Sequence, residues 1–264
     1  MSEAPIWIDS HAHLTMFEPE ELQGLLDRAA KNNVHGVLTP ATCVEDLEPT
    51  LALAEQHAER IVAAVGVHPH EAASLNASLK RRITSACSRP GVVAVGEIGL
   101  DYHYMNSPRE NQIAAFAWQL DLAIEVDLPV VVHNRESWTD LFEMLNERNG
   151  RIRGVCHSFT ESPERALRVL ELGLWIGISG MVTFKAADNI REMVAVLEAE
   201  RVLVETDSPF LAPVPHRGRR NEPAFVSYVG ERLAEEWKKP VEEVALTSST
   251  GFRRLFGVGD DWPG

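Results

Sequence analysis

Eight short apolar runs rich in valine and isoleucine recur along the chain, each separated from the next by a longer segment. This alternation narrows the possible folds more than any other feature. The runs lie near Pro5–Asp9, Gly36–Pro40, Ile61–Val67, Val92–Glu97, Pro129–His133, Gly154–His157, Leu174–Ile178 and Val202–Glu205. Several are apolar at nearly every position, as expected for parallel strands covered on both faces. The segments between them read as helices. Glu18–Asn32 keeps Leu22, Leu25, Leu26 and Ala29 on one face. Ser107-Pro108-Arg109-Glu110 predicts a serine-capped helix start with proline at the first position, running to about Val126. Ser162-Pro163-Glu164 opens another helix that Gly173 follows, and Glu222–Lys238 and Val241–Phe256 close the chain. Eight strands alternating with helices predict an α/β fold, a (β/α)8 TIM barrel, with a doubly wound open sheet as the alternative. At 264 residues the chain suits one barrel domain over residues 1–264 better than two small ones.

Composition removes several function classes. A net charge of −14 argues against broad clamping of duplex nucleic acid, which needs a basic surface, but leaves room for a small anion held by local cations. The three cysteines, Cys43, Cys87 and Cys156, are odd in number and scattered, which predicts a reducing compartment and no disulfide framework. No run approaches the ~18 consecutive apolar residues of a membrane span. Met1-Ser2-Glu3-Ala4-Pro5 carries no basic start or apolar signal core, so the expected location is cytoplasmic, with no membrane association. Nothing points to an obligate protein partner.

The polar residues at the predicted strand ends carry the chemistry. Asp9-Ser10-His11-Ala12-His13 follows the first strand, and alternation points His11 and His13 the same way with Asp9 one layer deeper. By the same alternation Val93, Val95 and Glu97 share a face, as do Val131 and His133, Val155 and His157, and Leu203, Glu205 and Asp207. Gly66 and His68 end the third strand. Isolated imidazoles and carboxylates are costly to bury unless paired or bound to a metal. All fall at the C-terminal rim, where barrel active sites are built. Six such groups at one rim favour metal binding over separate hydrogen bonds. Cys156 should face away from His157.

Together with Gly66-Val67-His68-Pro69, Gly96-Glu97-Ile98-Gly99-Leu100-Asp101-Tyr102, Pro129-Val130-Val131-Val132-His133 and Glu205-Thr206-Asp207-Ser208-Pro209, these residues resemble the TatD family of metal-dependent hydrolases, within the amidohydrolase-like barrels. Ser107-Pro108-Arg109-Glu110-Asn111-Gln112 and Pro213 to Pro223 extend the resemblance over nearly the whole chain. Members of that family are described as deoxyribonucleases or exonucleases. The resemblance implies two divalent cations. His11, His13 and Asp207 would hold one, and Glu97 would bridge to a second that His133 and His157 also bind, with His68 facing the substrate phosphate. Related barrels often use a carboxylated lysine as the bridge, where this chain has Glu97. A mixed nitrogen and oxygen set suits Zn²⁺, Mn²⁺ or Mg²⁺. Two positions depart from the family pattern: Ser158-Phe159-Thr160-Glu161 after the sixth strand, and Gly251 before Phe252-Arg253-Arg254.

The expected reaction is hydrolysis of phosphodiester bonds at the ends of single-stranded DNA or RNA by a metal-activated water, with Asp207 as proton acceptor. Hydrolysis of an ester, lactone or aminoacyl-tRNA bond is the alternative, and a barrel that binds without catalysis a third reading. Glu205 and Asp9 are candidates to orient the histidines, with a purely structural role equally open. Asp101, Tyr102, Arg135 and Ser208 are expected to line the mouth. Arg135, and Arg217, Arg219 and Arg220 in the loop after the last strand, are candidate phosphate contacts, with local ion pairing as the competing role.

Overall fold

The computed structural model describes residues 6–148 and 150–264. Among these, eight strands run in sequential order and all pair in parallel: Trp7–Asp9 (β1), Val34–Ala41 (β2), Ile61–Val65 (β3), Val92–Asp101 (β4), Val130–Arg135 (β5), Gly154–Cys156 (β6), Leu174–Ile178 (β7) and Val202–Val204 (β8). The β1 and β8 segments meet through Ser10 N–H to Val204 O at 3.1 Å, Asp207 N–H to His11 O at 2.9 Å and His13 N–H to Ser208 O at 2.8 Å. These bonds bring the sheet round into a (β/α)8 barrel and rule out the open doubly wound sheet. They also place the segments that carry His11, His13 and Asp207 side by side at the seam.

Helices Leu22–Lys31 (α1), Leu47–Gln56 (α2), Ala77–Ala86 (α3), Arg109–Glu125 (α4), Trp138–Asn146 (α5), Pro163–Glu171 (α6), Asp188–Ala195 (α7), Val226–Trp237 (α8) and Val241–Phe256 (α9) surround it. The predicted apolar face of α1 is the buried one, although the helix starts at Leu22 after a single 3-10 turn over Pro19–Glu21. Likewise α8 starts at Val226, after a turn over Pro223–Phe225. Ser107 does not cap α4, which starts one residue after Pro108. The Ser107 hydroxyl instead donates to His70 O at 2.7 Å and accepts from Ala73 N–H at 3.1 Å, tying α4 to the loop after β3. No helix among the described residues is long and apolar enough to cross a membrane.

Two apolar layers organise the barrel. The interior takes Ile8, Leu38, Ala64, Ala94, Val131, Val155, Trp175 and Leu203, one from each strand, and α9 closes it from the N-terminal end with Phe252, Leu255 and Phe256. Gly251 belongs to this closure, since a Cβ there would lie 2.6 Å from the Trp175 ring. The outer layer packs strands against helices and includes Cys156, whose burial pushes its thiol up to about 12. Cys156 therefore faces away from His157 as predicted.

Simple alternation fails on β4. Val95 pairs with Val130 and Ile98 with Val132, so three steps on β4 match two on β5. Both Val95 and Ile98 consequently face the helices, and Val95 does not share a face with Glu97. The bulge turns Glu97 inward, a common way for a sheet to re-aim one side chain beside a site. Gly99 permits the close β4–β5 approach that follows: its φ is +147°, and a Cβ there would meet His133 O at 2.0 Å.

Candidate metal centre

Six strand ends deliver polar side chains to one point. His11 and His13 follow β1, His68 follows β3, Glu97 sits in the β4 bulge, His133 lies on β5, His157 follows β6 and Asp207 follows β8. Asp207 adopts φ +57°, a left-handed conformation that aspartate tolerates better than most residues. Its N–H bond to His11 O holds the turn in place.

The side chains form two adjoining groups. In the first, His11 Nε2 and His13 Nε2 are 3.2 Å apart. Glu97 Oε2 lies 3.3 Å from the former and 3.7 Å from the latter. Asp207 Oδ1 lies 3.3 Å from His13 Nε2 and 3.8 Å from His11 Nε2. In the second, Glu97 Oε1 lies 2.8 Å from His157 Nε2 and 3.0 Å from His133 Nδ1, which are 3.2 Å from one another. His68 Nε2 completes this side, 3.4 Å from the same oxygen. Nitrogen and oxygen ligands held at about 2.0–2.2 Å around a tetrahedral ion stand roughly 3.3–3.6 Å apart. The observed spacings are of that size, and both groups are assembled on opposite oxygens of Glu97. Glu97 Oε2 is buried and accepts no hydrogen bond, a state that a cation would relieve. The donors are imidazole and carboxylate without thiolate, so the set fits a divalent ion such as Zn²⁺, Mn²⁺ or Mg²⁺.

The electrostatics follow from this crowding. Burial pushes Glu97 towards its neutral form, but His157, His68 and His11 outweigh it and hold the carboxyl well below the usual range. Burial lowers His157, His133 and His13, yet Glu97 with Glu205, Asp101 and Asp207 respectively raises all three above the ordinary imidazole value. Burial with the neighbouring His157 lowers His11, and burial brings His68 down to about 4. A cation entering the site must displace protons that three imidazoles hold more tightly than usual. Cation affinity is therefore expected to rise with pH through and above the ordinary imidazole range, with net proton release. Calorimetric titrations in buffers of different ionisation enthalpy measure that release, and zero proton release at pH 7 would contradict it.

Residues around the ligands divide differently from the sequence expectation. Glu205 Oε1 lies 3.4 Å from His157 Nδ1 and accepts Ser158 N–H at 2.6 Å, so it stands where an orienting carboxylate would. Asp9 does not reach an imidazole. Its oxygens accept Thr206 N–H at 2.8 Å, Thr206 Oγ1–H at 2.6 Å and His11 N–H at 3.3 Å, which makes it a brace between the β1 and β8 segments. Asp101 and Ser208 are fully buried and line no mouth. Tyr102 turns to Asp140, with its hydroxyl against that carboxylate.

Sequence reasoning missed two buried glutamines, Gln112 and Gln119. Seven residues apart, they share the barrel-facing side of α4. Gln119 accepts Val67 N–H at 2.7 Å and donates to Val67 O at 3.1 Å, next to His68. Gln112 accepts Asp101 N–H at 2.8 Å and donates to Asp101 O at 3.0 Å. Polar residues at heptad spacing on an otherwise apolar helix face were the available signal.

The candidate phosphate contacts also separate. Arg220 pairs with Glu21 at 2.8 Å, donates to Met16 O at 2.9 Å and covers Phe17, so it anchors the loop. Arg217 stacks 3.7 Å over Phe184, and Arg135 stacks 4.7 Å over exposed Tyr104. Arg219 is exposed and forms no ion pair among the described residues.

A parallel eight-stranded barrel with imidazoles and carboxylates converging at its C-terminal rim defines the class of amidohydrolase-like metal-dependent hydrolases. The family model described as TatD related DNase matches residues 8–257, and the chain belongs to the TatD family. It is 38% identical over 257 residues to an uncharacterized metal-dependent hydrolase, YcfH, from Escherichia coli K12, covering 95% of this chain and 96% of that protein. It is 35% identical over 237 residues to the 3'-5' ssDNA/RNA exonuclease TatD of Enterobacter lignolyticus, covering 88% of this chain and 91% of that protein. The crystal structure of YJJV, a TatD homologue from Escherichia coli K12, superposes with a TM-score of 0.90 at 32% identity, over 96% of this chain and 98% of that one.

Proposed function

We propose that this hydrolase cleaves phosphodiester bonds at the ends of single-stranded DNA or RNA, using two divalent cations. The observation that carries the reading is Glu97, whose two oxygens each face a separate set of imidazoles. The similarity to a relative named as a single-strand exonuclease supports the substrate class.

His11, His13 and Asp207 would hold one cation, His133 and His157 the other, and Glu97 both. Such a pair supplies Lewis acidity towards a phosphoryl oxygen and a lowered pKa for water. The protein's own groups supply the rest. Asp207 Oδ1 lies at the rim of the first group, where a carboxylate can orient the attacking water and take its proton. His68 Nδ1 accepts His70 N–H at 3.1 Å, so the neutral ring carries its proton on Nε2 and turns that donor into the site. With burial holding His68 at about 4, the ring is neutral at pH 7 and can donate to a phosphate oxygen without competing as a cation. Arg219 on the loop after β8 and Arg135 at the end of β5 are the candidates for the flanking phosphate. The acidic remainder of the surface disfavours a long duplex.

The test is turnover by metal-loaded protein of single-stranded oligonucleotides, duplex, carboxylic esters and aminoacyl-tRNA, with Mg²⁺, Mn²⁺ and Zn²⁺. Rapid cleavage of an ester or aminoacyl-tRNA with oligonucleotides untouched would reject the nuclease reading. Arg219→Ala is expected to raise KM for oligonucleotides roughly fivefold to tenfold, about one charge-assisted contact of 1–1.5 kcal/mol. Arg220→Ala should instead act through the loop, lowering Tm by a few degrees. Wild-type kinetics for both Arg217→Ala and Arg219→Ala would leave the loop without a phosphate contact.

A further inference from the structure

We infer that Asp101 is a positioning residue that selects the ring form of His133 and thereby sets the affinity of the second cation group. His133 Nε2 lies 3.1 Å from Asp101 Oδ2, while His133 Nδ1 lies 3.0 Å from Glu97 Oε1. Both ring nitrogens face carboxylates, so once a cation stands between Nδ1 and Glu97 the remaining ring proton is the one that Asp101 accepts at Nε2, and the Nδ1 lone pair is left for the ion. This matters for His133 in particular, because His11, His13 and His157 all present Nε2 to the centre, and His133 alone among these presents Nδ1. Without a fixed acceptor at Nε2, the neutral ring could carry its proton on either nitrogen and turn about its bond to the backbone.

Asp101 is held rigidly enough to impose the choice. It is fully buried. Its Oδ1 accepts His103 N–H at 3.0 Å and Tyr104 N–H at 2.9 Å. Its backbone is gripped on both sides by Gln112, which also donates to Ser107 O at 2.9 Å. Its Oδ2 takes a second imidazole, His70 Nε2, at 3.0 Å, from the side of the mouth. The result is an unbroken chain of fixed groups from α4 through Gln112 and Asp101 to His133. Carboxylates that accept from a ligating imidazole fix its orientation and raise its basicity, and their loss costs about 10–100-fold in metal affinity or activity. The inference concerns cation binding and holds for any substrate of the site, so it fails or stands apart from the nuclease reading.

The experiment is calorimetric titration of chelator-stripped wild type, Asp101→Asn and Asp101→Ala with Zn²⁺ and with Mn²⁺, alongside Tm. One equivalent should keep its wild-type affinity, while the other weakens about 10–100-fold in Asp101→Ala. Asp101→Asn should weaken it at least as much, because His103 and Tyr104 N–H claim the single amide oxygen and the NH₂ then faces His133 Nε2. A merely structural role would lower Tm and weaken both equivalents alike. Nitrogen-15 spectra of the zinc-loaded wild type should show the His133 ring protonated at Nε2. Equal effects on both equivalents, no effect on either, uptake of a single ion by the wild type, or a deprotonated His133 Nε2 would each overturn the inference. The ring spectrum and the Asn variant decide the matter if Asp101→Ala does not fold.

Discussion

Glu97→Gln is expected to leave a folded barrel that no longer holds two cations and has lost nearly all turnover. The carboxylate stands between His11 and His13 on one oxygen and His133, His157 and His68 on the other. Glutamine keeps the volume but replaces one oxygen by a donor NH₂ that would face imidazole nitrogens or a cation. Removing one partner from a buried set of charges costs about 3–5 kcal/mol. Loss of a group that both cation sets share should weaken cation binding beyond the about 10–100-fold that loss of an outer partner causes. The loss in kcat/KM should be at least that large, since both groups share the residue. Metal analysis after equilibrium dialysis, with circular dichroism as the folding control, measures it. A variant that retains two equivalents and turns over within tenfold of wild type would show that Glu97 is no bridge.

Asp207→Asn should separate chemistry from binding. The side chain meets His13 at 3.3 Å, and although burial opposes ionisation, the bond from His13 and the charges of His157 and His11 keep the carboxyl below its usual range. It is therefore ionised at pH 7 and available to accept a proton. General-base groups contribute about 10²–10⁴-fold to rate. Because Asp207 would also help hold the first cation, the expected result at saturating cation, with metal content measured, is a fall of that size in kcat with a much smaller change in KM. Volume and the Asp207 N–H bond to His11 O are unchanged, but the lost charge beside His13 lowers stability by up to about 3–5 kcal/mol, so folding is checked alongside. A rise in KM with kcat intact would place the residue in substrate binding instead.

Strand periodicity located the clustered side chains where the strands are regular. Val131 and Val155 face the interior, and His133 and His157 follow on the same side two residues later. On β4 the same rule put Val95 on the wrong face, because the inserted residue of the bulge is set by pairing with β5 and leaves no mark in the local pattern. Asp9 shows the same limit. Its partner Thr206 is 197 residues away, and only closure of the barrel brings the two together. The arginines after β8 mark a local excess of positive charge in an acidic chain, yet Arg220 is taken up by Glu21, 199 positions distant.

The amino-acid sequence by itself determined the strands, their alternation with helices and which strand ends carry imidazoles or carboxylates. Those properties depend on spacing within a few residues, where backbone geometry dictates side-chain direction. Tertiary structure decided which atom of each group faces the centre. His133 presents Nδ1 because Asp101 occupies its Nε2, and Asp101 stands there because Gln112 of α4 holds its backbone. It likewise decided that Glu97 serves both groups, through a bulge whose register depends on the neighbouring strand. Ring proton placement, bulge register and loop anchoring are contests between alternatives of similar local energy. Contacts between residues far apart in the chain settle them, and those contacts exist only once the barrel has closed.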